Sequence, residues 1–309
     1  MAEKNYDIVI VGGGPGGITA GLYGARANRE VVMIEKYLPG GQIANTEEVE
    51  DYPGFEHISG AELAMKMSEH AQKFGLEVVS DEVAEVYTDG ADRMVSTASG
   101  DLYRAKAVIL ATGGSPNKLS VPGEEEFTGK GVSYCAICDG AFFKDEIIAV
   151  VGGGDAAVEE AIFLTKFGRK VIVIHRRDKL RAQKIIQERA FKNPKIEFIW
   201  DSVVESVNGD DKVRSLGLKN VKTGEKSSLE AGAVFVFIGF VPNSNLVREP
   251  LEKDAGGYIL TDDRMETSIK GIYACGDVRS QLVRQITNAV GDGTTAAVAA
   301  EKYIEEMEA

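Results

Sequence analysis

A glycine-rich turn between two apolar runs limits the fold of this chain more than any other feature, because it occurs twice in the same setting. Residues 7–11 (DIVIV) form a β-branched run typical of a strand buried on both faces of a parallel sheet. The motif Gly12-x-Gly14-x-x-Gly17 follows, then a stretch with helical spacing, and then a second apolar run at 31–34 that ends at Glu35. This order predicts a βαβ unit whose glycine turn joins the first strand to the helix.

The same arrangement recurs farther along the chain. Gly152-x-Gly154-x-x-Ala157 follows one apolar run and precedes a helical stretch and a strand predicted at 170–174. Gly12 to Glu35 is a step of 23 residues, and Gly152 to His175 is also a step of 23 residues. Two matches in one register favour two nucleotide-binding units over two unrelated tight turns. We therefore predict an α/β fold with two Rossmann-like, three-layer dinucleotide-binding domains.

The two units differ in charge at equivalent positions. Glu35 can accept hydrogen bonds from a ribose hydroxyl, as the acid at this position does in dinucleotide-binding units. The second unit instead has His175, Arg176 and Arg177, with Arg181 four residues on, a set that suits a 2′-phosphate. The alternative is a solvated basic surface at the start of a helix. We expect the first unit to bind an unphosphorylated ribose and the second to bind NADPH.

Composition narrows the class of protein. The 309 residues exceed a typical single domain, and 44% hydrophobic with 27% charged residues is ordinary globular usage. The formal net charge of -13 disfavours nucleic acid and anionic membranes as partners. From the charged residues 1–7 we expect no signal peptide, and the apolar stretch at 231–241 is about half a membrane span. With three cysteines that fit a reducing compartment, these features predict a cytoplasmic protein without membrane contacts.

Several further segments predict elements around the two units. Residues 83–95 alternate like the strands of a small sheet, and 107–113 (AVILATG) form a buried strand that ends in a glycine turn. Residues 271–277 predict a short strand ending at Asp277, followed by a long helix over 284–305 that Gly291 and Gly293 break. Asp277 can accept hydrogen bonds from polyol hydroxyls, and its alternative role is a helix-capping acid in a turn.

Cys135 and Cys138 have the spacing that lets two sulfurs form a disulfide and exchange two electrons. A structural zinc site is the competing interpretation, but it needs four ligands and the sequence offers no second pair or nearby His, so we predict no metal. Cys275 is best explained as a small buried residue. Asp139 directly follows Cys138 and can exchange a proton with a thiol, or it can simply sit at a helix N-terminus.

Over nearly its full length the chain resembles the low-molecular-weight thioredoxin reductases, flavoproteins of the pyridine nucleotide-disulfide oxidoreductase family. The matching segments are 12–17, 40–42 (GGQ), 52–54 (YPG), 111–113 (ATG), 135–139 (CAICD), 152–160, 175–177 (HRR) with Arg181, 239–243, and 275–277 (CGD) with 284–285 (RQ). The resemblance implies an FAD domain in two segments, 1–115 and 246–309. An NADPH domain at 116–245, carrying the cysteine pair, is inserted between them, with crossings near residues 115 and 245.

The resemblance also implies the cofactor contacts. Those to FAD are expected from Gly12, Gly14, Gly17, Glu35, Gly41, Gln42, Ala111, Gly113, Asp277, Arg284, Gln285 and Ile286. Those to NADPH are expected from Gly152, Gly154, Asp155, Ala157, His175, Arg176, Arg177 and Arg181. The chain departs from the family at Ala156, where many relatives have Ser, and at Asp51, where some have Asn.

The implied reaction is hydride transfer from NADPH to FAD, reduction of the Cys135–Cys138 disulfide, and exchange with thioredoxin or a thioredoxin-like small disulfide protein. By resemblance, Cys138 faces the flavin, Cys135 attacks the partner, Asp139 has a catalytic role, the inserted domain rotates, and the protein is a homodimer. The alternatives are a related flavoprotein reductase serving a glutaredoxin-like protein, a peroxiredoxin system or ferredoxin, or a flavin-bound redox sensor or scaffold without turnover.

Overall fold

A computed structural model describes residues 3–46 and 49–309. The chain divides into two compact units, Met1–Ser115 with Val241–Ala309, and Pro116–Phe240. The second crossing lies earlier than the predicted residue 245, because Asn243 belongs to the first unit. Its backbone N–H donates to the Gly113 carbonyl oxygen (3.0 Å), and its side-chain amide donates to the Thr112 carbonyl oxygen (2.9 Å).

Seventeen strands and six α-helices form the two units within the residues that the structure describes. The strands are β1 (Glu3–Val11), β2 (Val31–Glu35), β3 (Glu77–Ser80), β4 (Val83–Asp89), β5 (Asp92–Thr97), β6 (Leu102–Leu110), β7 (Gly114–Pro116), β8 (Val132–Ser133), β9 (Ile147–Gly152), β10 (Lys170–Ile174), β11 (Ile196–Ile199), β12 (Ser202–Gly209), β13 (Val213–Asn220), β14 (Lys226–Glu230), β15 (Ala233–Phe237), β16 (Phe240–Pro242) and β17 (Ile272–Ala274). The helices are α1 (Pro15–Arg26), α2 (Gly60–Lys73), α3 (Ala136–Asp139), α4 (Asp155–Leu164), α5 (Lys184–Lys192) and α6 (Ile286–Glu308).

The first unit is built on a seven-stranded sheet in the order β3-β2-β1-β6-β5-β4, with β17 also paired to β6. β1, β2, β3, β6 and β17 are parallel, and the apolar runs of β1 and β6 are buried by separate side-chain clusters on the two faces. This double burial explains why those runs are continuously apolar. The segment at 83–95, predicted to alternate like the strands of a small sheet, forms β4 and β5, and β5 pairs with β6, so both strands belong to the large sheet.

α1 and α6 cover one face of this sheet. The prediction that glycines break the last helix is wrong, since α6 is continuous from Ile286 to Glu308. A Cβ on Gly293 would collide with the Gly16 carbonyl oxygen in α1. Gly293 therefore allows the two helices to pack closely, and that packing offsets the low helix propensity of glycine.

The second unit has a five-stranded parallel sheet in the order β11-β10-β9-β15-β8 and a three-stranded antiparallel sheet of β12, β13 and β14. The predicted strand at 170–174 is observed as β10. One apolar cluster packs α4 and α5 against the parallel sheet, and another joins the two sheets. Both units thus have the predicted α/β architecture. Across residues 3–46 and 49–309, no helix has the length and apolar character needed to cross a membrane.

Candidate cofactor and disulfide sites

The first glycine turn packs closely against neighbouring backbone at Gly12 and Gly17 and is open at Gly14. Gly12 has a φ of +102°, and a Cβ there would lie 2.5 Å from the Ala111 carbonyl oxygen at the end of β6. A Cβ on Gly17 would collide with the Gly12 carbonyl oxygen. In contrast, apart from its chain neighbours, no described residue has an atom within 4 Å of the Cβ position of Gly14, just before α1. The open side at the start of a helix is where a pyrophosphate approaches the backbone of such turns.

Glu35 stands at the end of β2 and contacts this turn. Its Oε2 accepts from the Gly13 amide N–H (2.6 Å) and its Oε1 accepts from the Tyr37 amide N–H (2.8 Å). Each carboxylate oxygen has a second lone pair, so both can still accept from a ribose hydroxyl. The sequence predicted the ribose contact and missed the two backbone bonds.

The segment with Gly41 and Gln42 lies against the same turn. The Gly40 amide N–H donates to the Gly13 carbonyl oxygen (2.7 Å), and a Cβ on Gly41 would lie 3.0 Å from the Gly14 Cα. Gly41 has a φ of +55° and begins a short 3-10 helix, Gly41–Asn45. This packing places exposed Gln42 close to the glycine turn, together with Gly113 after β6, whereas Asp51 is exposed and has no assigned role.

Asp277 lies in the short 3-10 turn after β17. Its carboxyl is half-buried and has no hydrogen-bond partner among the described residues, and this burial raises the pKa of Asp277 above its usual value. The turn itself is fixed by Asp292 of α6, a residue that the sequence reasoning missed. Asp292 is 6% exposed, and it accepts from the Gly276 amide N–H (3.1 Å) and from the Arg279 guanidinium (3.0 Å).

A half-buried carboxyl that lacks donors among the described residues fits a ligand that presents hydroxyl groups. The other residues predicted here lie at the start of α6. Gln285 caps the helix, Ile286 is its first residue, and exposed Arg284 places its guanidinium 4.0 Å from the centre of the Tyr258 ring.

The second glycine turn repeats the packing of the first. A Cβ on Gly152 would collide with the Phe237 carbonyl oxygen, and it would lie 2.5 Å from the Cβ of Ala157. The Cβ position of Gly154 is open, with no atom within 4 Å. Asp155 begins α4, and its Oδ1 accepts from the Gln183 amide N–H (2.6 Å), while Ala156 is exposed without a hydroxyl to offer a phosphate.

His175 lies beneath this turn. It is 5% exposed, a Cβ on Gly153 would collide with its ring, and its Nε2 has no hydrogen-bond partner among residues 3–46 and 49–309. Burial lowers the pKa of His175 from the usual 6.5, so the ring is neutral at pH 7. The positive charge expected at this position therefore comes from the arginines alone.

Arg176, Arg177 and Arg181 are all exposed, and none forms an ion pair with a carboxylate in the part of the chain that the structure describes. The backbone N–H groups of Arg181 and Ala182 donate to the Gly153 carbonyl oxygen (2.7 and 3.2 Å), which fixes this segment against the glycine turn. Guanidinium groups without partners, held beside a phosphate-type turn, are suited to bind a second phosphate.

Cys135 and Cys138 form a disulfide at the start of α3. Cys135 is half-buried and Cys138 is exposed, and the Cys138 amide N–H donates to Cys135 Sγ (3.2 Å). Half-buried Asp139 ends α3 and donates its backbone N–H to the Cys135 carbonyl oxygen (3.2 Å). It also occupies the N-cap position of the 3-10 helix Gly140–Phe143, where its side chain forms no capping bond. Cys275 is buried, which raises the pKa of its thiol, and its sulfur would lie 3.1 Å from a Cβ on Gly16. It fills a small space in the first unit.

Comparison with known proteins agrees with this arrangement. The family model described as pyridine nucleotide-disulphide oxidoreductase matches residues 6–293. The chain is 50% identical to the thioredoxin reductase of Bacillus subtilis over 307 residues, which cover 99% of this chain and 97% of that protein.

Solved structures give the same result. The thioredoxin reductase of Lactococcus lactis is 50% identical, with a TM-score of 0.95 over 97% of this chain and 99% of that one. The thioredoxin reductase of T. acidophilum is 34% identical, with a TM-score of 0.93 over 98% of this chain and 99% of that one. The resemblance seen in the sequence is thus confirmed, and the chain belongs to the thioredoxin reductases of the pyridine nucleotide-disulphide oxidoreductase family.

Proposed function

We propose that this protein uses NADPH to reduce the disulfide of thioredoxin, by way of FAD and the Cys135–Cys138 pair. The observation that carries the proposal is the disulfide at the start of α3, with one of its cysteines exposed to solvent. It lies in a unit whose glycine turn has three exposed arginines beside it, and none of these pairs with a carboxylate among the described residues. The whole-length similarity to thioredoxin reductases supports the choice of thioredoxin as substrate.

The residues present fit both cofactors. FAD would be held by the first glycine turn with its open side at Gly14, by Glu35 at the adenosine ribose, and by Asp277 at the ribityl chain, where a half-buried carboxyl lacks donors among the described residues. NADPH would be held by the second turn, with Arg176 and Arg177 at the 2′-phosphate. When bound, NADPH supplies a hydride to FAD, and FAD supplies two electrons to the disulfide.

The cysteines carry the rest of the reaction. Reduction breaks the Cys135–Cys138 bond and, with two protons, yields two thiols. The Cys135 thiolate then attacks one sulfur of the thioredoxin disulfide, and the other thioredoxin sulfur leaves as a thiolate. The Cys138 thiolate attacks Cys135 Sγ, which reforms the enzyme disulfide and releases reduced thioredoxin, with Asp139 exchanging the protons.

The direction of attack is supported by one hydrogen bond. The Cys138 amide N–H already donates to Cys135 Sγ, and such a bond stabilises a thiolate at Cys135. The assignment of Cys135 as the attacking residue otherwise rests on the family resemblance.

We infer that Met1–Ser115 with Val241–Ala309 is the FAD domain and that Pro116–Phe240 is the NADPH domain. Because the second unit would hold both the nicotinamide and the disulfide, only one of them can face the flavin at a time. The unit must therefore reorient within each cycle. A homodimer and a cytoplasmic location, where thiols stay reduced, complete the proposal. The excess of acidic residues supports a protein, rather than nucleic acid, as the partner.

The test uses the FAD-loaded protein with oxidised thioredoxin and follows NADPH oxidation. Cys138→Ser should still allow NADPH to bleach the flavin but should abolish thioredoxin reduction, since the disulfide is lost. Cys275→Ala is the matched control and should retain turnover because that thiol is buried and outside the pathway. Turnover by Cys138→Ser at the wild-type rate would show that the pair does not carry the electrons.

The same assay decides among acceptors. A glutaredoxin-like protein or a peroxiredoxin-system disulfide protein replaces thioredoxin in parallel runs, and reduced ferredoxin replaces NADPH in another. NADPH oxidation that depends on thioredoxin supports the proposal. Flavin reduction without turnover of any acceptor would favour a sensor or scaffold.

A further inference from the structure

A buried carboxylate in the second unit is hydrogen-bonded to two segments: the one by which the chain enters this unit and the one just before the redox disulfide. Glu124 is 3% exposed, and no basic side chain forms an ion pair with it among the described residues. Three donors satisfy it instead. Its Oε1 accepts from the Leu119 amide N–H (2.7 Å) and from the Tyr134 hydroxyl (2.7 Å), and its Oε2 accepts from the Ser120 amide N–H (2.6 Å).

Tyr134 is the neighbour of Cys135 in the chain, so the phenol bond acts next to the redox disulfide. Burial and the nearby carboxylate raise the pKa of Tyr134, so its hydroxyl keeps its proton and remains a donor. On the other side of Tyr134, the buried Ser133 hydroxyl accepts from the Cys135 amide N–H (3.1 Å) and donates to the Cys135 carbonyl oxygen (3.2 Å). The backbone of Cys135 is thereby held on its N-terminal side.

The other two bonds of Glu124 hold the segment by which the chain arrives in this unit from the crossing at Ser115. Ser120 has a φ of +58°, a conformation that non-glycine residues adopt only where neighbouring contacts hold them. The bond from the Ser120 N–H to Glu124 Oε2 is such a contact. One carboxylate therefore fixes both this segment and the residue before the attacking cysteine.

We infer that Glu124, through the Tyr134 hydroxyl, is a positioning residue for disulfide exchange: it holds the Cys135 backbone in place when the Cys135–Cys138 bond opens. This rests on the proposed function. While the disulfide is closed, the covalent bond itself restrains Cys135. After reduction, only backbone and side-chain hydrogen bonds restrain the attacking sulfur, and loss of orientation lowers the rate of attack.

The experiment compares Tyr134→Phe, Glu124→Gln and the double variant in FAD-loaded protein that has first been reduced. The rate of oxidation by thioredoxin in a single turnover should fall about fivefold in each single variant, the factor for one ordinary hydrogen bond. The double variant should lose no more than the worse single variant, because Glu124→Gln weakens, by removing the negative charge of the acceptor, the same bond that Tyr134→Phe removes. The KM for thioredoxin and the rate of flavin reduction by NADPH should stay unchanged.

Tyr6→Phe is the matched control, since the Tyr6 hydroxyl donates to Glu77 Oε2 (2.8 Å) in the first unit, far along the chain from the cysteines. It should leave exchange unchanged even if it lowers the melting temperature. An unchanged rate in Tyr134→Phe, multiplied losses in the double variant, or an equal loss in Tyr6→Phe would overturn the inference.

If the proposed function is wrong, the experiment gives a different result, because thioredoxin would not oxidise the reduced wild-type protein at all. The same variants are then compared with a small aromatic disulfide as oxidant. A fivefold loss there would still support the role of Glu124, and equal rates in wild type and variants would refute it.

Discussion

The two glycine turns have the same backbone packing, and backbone bonds hold both, but a carboxylate also holds the first. In the first unit the Gly13 carbonyl oxygen accepts from the Gly40 amide N–H, and Glu35 accepts from the Gly13 amide N–H. In the second unit the equivalent residue, Gly153, accepts from the backbone N–H groups of Arg181 and Ala182 through its carbonyl oxygen. His175, at the position of Glu35, packs under Gly153 as a neutral ring.

This difference shows how one scaffold can select two nucleotides. A carboxylate that holds the turn also places negative charge beside the ribose, which would repel a 2′-phosphate. In the second unit no carboxylate occupies the position of Glu35, and the exposed side chains of Arg176, Arg177 and Arg181 can bind a ligand. We therefore propose that selectivity depends on residues at or just after the end of the second strand of each unit, while the glycines supply only the turn.

The largest expected effect comes from replacing Arg176 and Arg177 together with Ala. The kcat/KM for NADPH should fall about a hundredfold, the factor for two charge-assisted hydrogen bonds partly screened by solvent. The kcat/KM for NADH should change little, because NADH lacks the phosphate. Steady-state kinetics with both cofactors at one fixed salt concentration measure the effect.

Arg169→Ala serves as the control for this variant, since Arg169 is another exposed arginine of the same unit and lies outside the turn. It should leave both cofactors unaffected. Equal losses for NADPH and NADH in the Arg176 and Arg177 double variant would mean that these residues support the fold and do not bind the phosphate.

Glu35→Gln should have a smaller effect, confined to the first unit. The amide keeps the shape of the side chain, but its NH₂ group cannot accept from Gly13 or Tyr37. We expect FAD to bind about tenfold more weakly, the factor for one hydrogen bond to a charged acceptor, with no change in the preference for NADPH over NADH.

Titration of the FAD-free protein with FAD checks this prediction, with Glu82→Gln as an exposed acidic control in an ion pair with Lys36. If the Glu35→Gln protein bound FAD as tightly as the wild type, the carboxylate would not contact the ribose. A changed cofactor preference would mean that the two units are not independent.

The sequence predicts a feature of these sites well when a short segment determines it, and poorly when it depends on residues far apart in the chain. The strands, the glycine turns and the position of Glu35 follow from local patterns, because apolar runs and glycine conformations are properties of short segments. Gly293 was misinterpreted as a helix break because its partner, Gly16, is far away in the chain. Asn243 is likewise hydrogen-bonded to residues far away in the chain, 112 and 113. These bonds place it in the first unit, so the second crossing between the units lies earlier than predicted.

Sequence patterns also did not show which polar side chains are buried. His175 was grouped with the arginines as a phosphate ligand, but its ring faces the core. Asp292 and Glu124 are two of 48 acidic residues, and no sequence pattern distinguishes them from the others. The structure shows that both are buried. Asp292 accepts from the Gly276 amide N–H, and Glu124 accepts from the Tyr134 hydroxyl.

The smallest expected effect is the pH dependence of FAD binding. Burial raises the pKa of Asp277 in the protein without FAD, and ribityl hydroxyl donors would favour its charged form. FAD binding would then lower this pKa, so FAD affinity should rise as pH rises through the pKa of the free protein, by roughly threefold. Asp277→Asn should remove the dependence. The dissociation constant of FAD, measured across the acidic range for both proteins, tests this, and an identical pH profile would contradict it.

The most direct test of the difference between the two turns is calorimetric titration of the FAD-loaded protein with adenosine 2′,5′-bisphosphate and, separately, with adenosine 5′-monophosphate. These ligands differ only in the 2′-phosphate and contain no nicotinamide. We predict that the bisphosphate binds about a hundredfold more tightly and that added salt reduces this advantage. Equal affinities would contradict the assignment of the free arginines in the second unit to the 2′-phosphate.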